Sequence, residues 1–213
     1  IRRPPRSTQS RSSAASDVYK RQGLYHPGQS DIEFKMANIT TAVLTVSDRS
    51  FRGEREDLSG PLLRDLAMAL GGEVISYAVV PDEEAQIQAA LVDLVDRQGV
   101  DLILTTGGTG PTPRDVTPEA TRAVIEREMP GLAELMRLEG YRKYTPFAVL
   151  SRAVAGIRKK TLIVNLPGNP QAVRESMEIL EPLLPAAVAL VKGEAPPDGI
   201  SDPGWAARFG GKA

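Results

Sequence analysis

The chain contains no cysteine and a single histidine, His26, among its 213 residues. The first absence excludes disulfides, thiolate nucleophiles and zinc-thiolate centres. Since His26 lies ahead of every patterned segment, any chemistry must run without an imidazole base inside the patterned region. Long apolar runs are also missing. No window approaches the roughly eighteen uninterrupted apolar residues of a membrane span, and no apolar stretch follows the basic start as a secretory signal requires. A cytoplasmic protein is expected. The body has no excess of positive charge either: residues 1–22 carry six basic groups against one acidic, leaving twenty against twenty-six in residues 23–213. A mildly acidic body has no basic field for a phosphate polymer or an anionic bilayer, so neither nucleic acid nor membrane is an expected partner. What remains is enough apolar residue, 41%, to build one proper core.

Residues 1–35 are rich in Arg and Ser and carry no apolar residue at helical spacing. They read as a disordered, non-native extension with Met36 as the true start, because a transit peptide would be amphipathic. From residue 36 to 192 the chain is patterned, and residues 193–213 lose periodicity and read as a flexible tail. Within the patterned region, Ile39 to Val46 and Val100 to Thr106 are nearly continuous apolar runs, as in parallel strands covered on both faces. Glu73 to Val80 is a further strand, and Ser151 to Arg158 and Thr161 to Asn165 are two short ones. Helices are expected after Ser59, after Asp82, at Thr117-Pro118, from Pro130 to about Gly140, and from Asn169 with an interruption near Pro182 and Pro185. Ser59, Thr117 and Asn169 stand where N-caps belong. The alternation defines an α/β domain of three layers, doubly wound, with a mostly parallel sheet and helices on both faces.

In open α/β sheets ligands bind beyond the carboxyl ends of the strands. Three polar loops lie at that edge: Ser47 to Ser59, Thr105 to Thr117, and Asn165 to Pro170. In the second, TTGGTGPTPRDVTPEAT, Gly107, Gly108 and Gly110 allow close backbone approach to an anion while the threonines offer hydroxyls. The pattern is neither Walker A, which needs Gly-Lys before Ser or Thr, nor the dinucleotide fingerprint, because Pro113 stands where glycine belongs. Glycines after a strand also serve simply to shape a tight turn. Asp57 and Asp115, in separate loops of the same edge, suit a Mg²⁺ held between protein and phosphate oxygens, or turn caps. Glu119 falls in the first helical turn, where it would offset the helix dipole. Arg49, Arg52, Arg55, Arg114, Arg152 and Arg158 are either phosphate contacts or solvated surface charge.

Taken in order, TAVLTVSD, EDLSGP, VPDE, DLILTTGGTGPTPRDVTPEAT and FAVLSRAVAGIRKKTLIVNLPGNP, spanning about residues 40–191, resemble the MogA/MoaB-like molybdopterin adenylyltransferases, which include the G domain of gephyrin and its plant counterpart. The resemblance implies Mg²⁺-dependent adenylylation of molybdopterin by ATP within molybdenum cofactor biosynthesis. It further implies a homotrimer and hand-over of product to a molybdenum insertase. Carried over by motif, Asp57 and Asp115 would be the essential acids and metal ligands. Gly107, Gly108, Thr109 and Gly110 would hold phosphate. Ser151, Pro167, Gly168 and Asn169 would help form the nucleotide and pterin pocket, and Ser47, Ser59, Gly60, Thr106, Thr117 and Glu119 would belong to the same binding site. The alternative is a catalytically silent, MoaB-type molybdopterin-binding or scaffold paralogue.

Overall fold

The computed structural model describes residues 38–194. The expectations for residues 1–35, for His26 and for the tail beyond Glu194 lie outside the described residues. Six strands form one mixed sheet: β1 (Thr40–Val46), β2 (Glu73–Val80), β3 (Leu102–Thr106), β4 (Arg127–Glu128), β5 (Ala155–Arg158) and β6 (Thr161–Leu166). Their spatial order is β2-β1-β3-β6-β5-β4. The central strands β3 and β6 are buried along their whole length, which is why their sequences show no alternation. By contrast β2 is an edge strand and largely exposed.

The four strands β2, β1, β3 and β6 run parallel, as expected. The expected pair of short strands forms an antiparallel hairpin instead, with Arg158 opposite Thr161 and only Lys159 and Lys160 between them. Lys159 has φ 53, the left-handed conformation a two-residue hairpin turn requires. The segment Ser151 to Val154, read as strand, is extended chain outside the β5–β6 ladder, and it follows a 3₁₀ turn at Pro146–Leu150. The two-residue strand β4 was not foreseen. It is too short to leave a periodic trace.

Helices cover both faces: α1 (Asp48–Phe51), α2 (Ser59–Ala69), α3 (Glu84–Asp96), α4 (Thr117–Val124), α5 (Pro130–Lys143), α6 (Pro170–Leu180) and α7 (Leu184–Lys192). On one side Leu63, Met136, Val173 and Leu184 pack over Val43, Leu104 and Val164. On the other, Ile87, Leu91 and Ala120 close over Leu44, Ile103 and Ile163. Adjacent strand residues thus feed opposite cores. Gly193, where the tail was expected to begin, ends α7 with φ 82.

The chain leaves β1 for β2 at one side, then crosses to β3 at the other. A crevice therefore opens at the carboxyl ends of β1 and β3, where the winding reverses. This crevice holds the polar loops.

Candidate functional site

At the end of β1 the chain turns sharply, with Ser47 Oγ accepting from the Ser50 N–H at 3.3 Å to cap α1. Asp48 and Asp82, at the ends of neighbouring strands, brace each other. The Asp48 N–H donates to Asp82 Oδ2 at 2.7 Å and the Asp82 N–H to Asp48 Oδ1 at 3.0 Å. Burial opposes ionisation of Asp48, but the Asp82 amide and the Arg114 guanidinium outweigh it and hold its carboxyl below the usual range. For Asp82 the balance is reversed: burial, with the charges of Asp48 and Asp115 nearby, lifts its carboxyl above the usual range.

The second loop is strapped to the third. Gly107 takes φ 101, and a Cβ there would lie 2.2 Å from the Val46 carbonyl oxygen, so only glycine allows the turn. Thr106 Oγ1 donates to the Pro167 carbonyl at 2.7 Å, and the Gly107 N–H to the Leu166 carbonyl at 3.2 Å. Thr117 is not a cap. It is fully buried, and its hydroxyl donates to the Gly107 carbonyl at 2.9 Å. Below the turn, the buried Asn165 side chain donates to Thr105 Oγ1 and Thr121 Oγ1 at 3.0 and 2.9 Å and accepts from the Val154 N–H at 3.2 Å.

The first loop joins through Ser59, which is likewise not the N-cap expected of it. Its hydroxyl donates to the Gly168 carbonyl at 2.8 Å, while Asp57 Oδ1 takes the Ser59 and Gly60 N–H groups, both at 3.0 Å. Asp57 is thus the group that caps α2. Its other oxygen accepts the Tyr77 hydroxyl at 2.7 Å. Burial raises the Asp57 carboxyl, but the Gly60 amide and these other donors together pull it below the usual range. Gly60 makes room for this arrangement: a Cβ would lie 2.3 Å from Thr45 Oγ1 and 2.5 Å from Asp57 Oδ2.

Asp115 takes its hydrogen bonds on Oδ2, from the Thr112 N–H at 2.9 Å and the Thr112 hydroxyl at 2.5 Å. Its backbone is pinned by Arg152, whose guanidinium reaches the Gly110 carbonyl at 2.8 Å, the Asp115 carbonyl and Glu119 Oε1. The Arg152 N–H also donates to the Thr109 carbonyl at 2.9 Å. Glu119 serves as counter-charge to Arg152, which holds its carboxyl below the usual range against the opposing effect of burial.

Together the loops enclose an open cleft of about 420 Å³. Of the residues expected from sequence, Ser47, Asp57, Ser59 and Thr106 line it, as do Gly107, Gly108, Asp115 and Gly168. Gly60, Thr109, Gly110, Thr117 and Glu119 are not on the lining. Ser151, Pro167 and Asn169 are also off the lining; Asn169 caps α6, accepting from Gln171 and Ala172 N–H at 2.8 and 3.3 Å. Asp48 and Asp82 line the cleft and were missed. The only local signal for Asp82 was the strand-ending VPDE. Among the described residues no three His, Asp or Glu side chains form a ready-made metal cage. Cation ligands would have to come partly from phosphate oxygens, as is usual for Mg²⁺.

A glycine turn and acidic groups at the switch point of a parallel sheet place this cleft where open α/β proteins take their ligands. The family described as the probable molybdopterin binding domain matches residues 42–186, and the chain belongs to it. A molybdopterin adenylyltransferase of Helicobacter pylori is 44% identical over 160 residues, covering 74% of this chain and 90% of that protein. Its Escherichia coli namesake is 44% identical over 145 residues, covering 67% and 74%. The crystal structure of the molybdopterin biosynthesis enzyme MoaB of Thermus thermophilus, 53% identical, superposes with TM-score 0.70 over 75% of this chain and 99% of that one.

Proposed function

We propose that the protein adenylylates molybdopterin with ATP, releasing pyrophosphate, as a step of molybdenum cofactor biosynthesis. The observation that carries this reading is the convergence of three loops into one cleft, with Asp115 and Asp82 beside the amides of the glycine turn. The relatives' names point the same way.

In the reaction an oxygen of the molybdopterin phosphate attacks the α-phosphorus of ATP. One phosphorus–oxygen bond forms, and the bond from the α-phosphorus to the β-phosphate oxygen breaks with its electron pair leaving on pyrophosphate. The nucleophile is already an anion, so no base is needed, in keeping with a cleft lined by neither His nor Cys. The protein's work is positioning and charge neutralisation. With the Gly107 N–H taken by the Leu166 carbonyl, the amides that follow it in the turn, from Gly108 onward, would hold a phosphate. Asp115, with its Oδ1 left over from the Thr112 bonds, and Asp82, whose carboxyl burial and then the charges of Asp48 and Asp115 raise, suit Mg²⁺ better than Asp57, whose oxygens are taken up by two amides and Tyr77. Bound there, the cation would neutralise charge on phosphoryl oxygens. Asp57 is then the residue that aims α2 and Ser59 at the cleft.

A homotrimer, hand-over of product to a molybdenum insertase and a cytoplasmic location belong to the same reading, and sedimentation of the purified protein tests the first. To test the activity, the full chain is incubated with molybdopterin, ATP and Mg²⁺. Adenylyl-molybdopterin and equimolar pyrophosphate are the expected products. Molybdopterin binding without either would establish the silent paralogue instead.

A further inference from the structure

The wall of the cleft carries five acidic side chains, Asp48, Glu56, Asp57, Asp82 and Asp115, and no lysine. Its cationic side chains are Arg49, Arg52 and Arg55, all from the segment that joins β1 to α2. A nucleoside triphosphate brings several negative charges into this acidic surround, and the glycine turn has amides for only part of them. The rest must meet a cation or these arginines. Arg52 is already engaged, holding Glu54 through Nε and Nη2 at 2.7 and 3.1 Å. Among the described residues Arg49 and Arg55 have no carboxylate partner, although acids surround them. Both line the same cleft, and the turn after Arg49 folds the chain back on itself just ahead of Arg55: the Glu54 N–H donates to the Arg49 carbonyl at 2.9 Å and the Gly53 N–H to the Ser50 carbonyl at 3.1 Å.

We infer that Arg49 and Arg55 form the seat of the β- and γ-phosphates, and hence of the pyrophosphate leaving group. The inference rests on the adenylyl-transfer reading above. A guanidinium fork matches phosphate oxygens in pairs, and its hydrogen bonds to an anion are stronger than those between neutral groups. Charge grows on the bridging oxygen of the leaving pyrophosphate as its bond to the α-phosphorus lengthens. Two guanidinium groups at that end would bind the product and also hasten its departure from phosphorus. The segment that carries them differs from the one that holds Asp115. Leaving-group and α-phosphate contacts are therefore separable by mutation.

The test is calorimetric titration of the full chain with Mg²⁺-pyrophosphate and, separately, with AMP, which lacks the β- and γ-phosphates. Arg49→Gln and Arg55→Gln should each weaken pyrophosphate about tenfold and the double variant about a hundredfold, the loss expected of charge-assisted hydrogen bonds. AMP affinity should stay within about twofold in all three, and Arg52→Gln should weaken pyrophosphate less than either single change. A double variant that binds pyrophosphate as the wild type does, or that loses AMP in parallel, overturns the seat. The two readings fail separately. Wild type that makes adenylyl-molybdopterin while the double variant keeps its pyrophosphate affinity sinks only the seat. Wild type that binds pyrophosphate through these arginines yet makes no adenylyl-molybdopterin leaves the seat standing as a polyphosphate site and sinks the proposed reaction.

Discussion

Two aspartates of the cleft are chemically alike and hydrogen-bonded differently. Asp115 directs its hydrogen-bonded oxygen at Thr112 and keeps the other, whereas Asp57 gives both of its oxygens to donors of its own chain. Asp115→Asn and Asp82→Asn should each lower turnover by about 10² to 10³, the scale of losing one preorganised electrostatic group, measured by pyrophosphate release. Asp57→Asn should cost stability first, about 1 kcal/mol as for loss of a helix cap, read from the denaturant midpoint. Tyr77 reports on the same contact, because burial and the Asp57 carboxylate push its hydroxyl up to about 12. Ultraviolet titration should find Tyr77 ionising late, along with Tyr144, which burial and Glu178 also raise, and Asp57→Asn should bring only Tyr77 back toward ordinary values. The place of Asp57 and Asp115 on the cleft was legible because each stands in a polar loop at the carboxyl edge of the sheet. Asp82 was not, since its setting comes from Asp48, Gly108 and Asp115, residues distant in sequence.

Among the elements, the buried central strands and the helices packed on them were readable from apolar runs and 3.6-residue stripes. The four-residue α1, the two-residue β4 and the reversal of β5 were not, because their form depends on pairing and turn geometry rather than on periodicity. The polar ties between elements were equally hidden. Asn165, read as the end of a strand, connects β3, β6 and α4 from a fully buried position. Asn165→Ala would leave the Val154 N–H without its side-chain acceptor and the Thr105 and Thr121 hydroxyls without their shared donor. At about 1–3 kcal/mol for an unsatisfied buried group, and about 2–4 °C per kcal/mol in a domain of this size, the melting temperature should fall by roughly 2–12 °C. Arg152 ties the extended segment before β5 to the carbonyls of Gly110 and Asp115. Arg152→Lys keeps the charge but loses the fork that spans Glu119 and both carbonyls. Kcat should drop about tenfold or more with substrate KM little changed, because the residue acts on loop position rather than on substrate. A KM effect with kcat intact would mean that Arg152 touches the ligand itself.

At the scale of the whole molecule, the cleft is held at a cost in electrostatic self-repulsion that the packed cores on either side of the sheet offset. The carboxyls of Asp57 and Asp101 lie below their usual range, Asp57 through the Gly60 amide and its other donors, Asp101 through the Thr40 amide and hydroxyl and Lys192, in each case against burial. Such groups stabilise the fold at pH values above their ordinary pKa, and that contribution fades as acid protonates them. Asp82 has the opposite sign. Its raised carboxyl favours the fold while protonated, and the benefit disappears as the pH climbs through the elevated value, so at neutral pH its charge works against stability. Asp82→Asn removes the charge and keeps a carbonyl oxygen to accept from the Asp48 N–H. This variant should therefore melt at a higher temperature than the wild type at pH 7, with the gap closing as the pH is lowered toward the ordinary carboxylate range, while losing adenylyl transfer. Added Mg²⁺ should raise the melting temperature of the wild type more than that of the variant, because only the wild type gains relief from the bound cation. If the variant melts lower at every pH, the hydrogen bond between the strand ends outweighs the repulsion, and Asp82 is a structural brace before it is anything else.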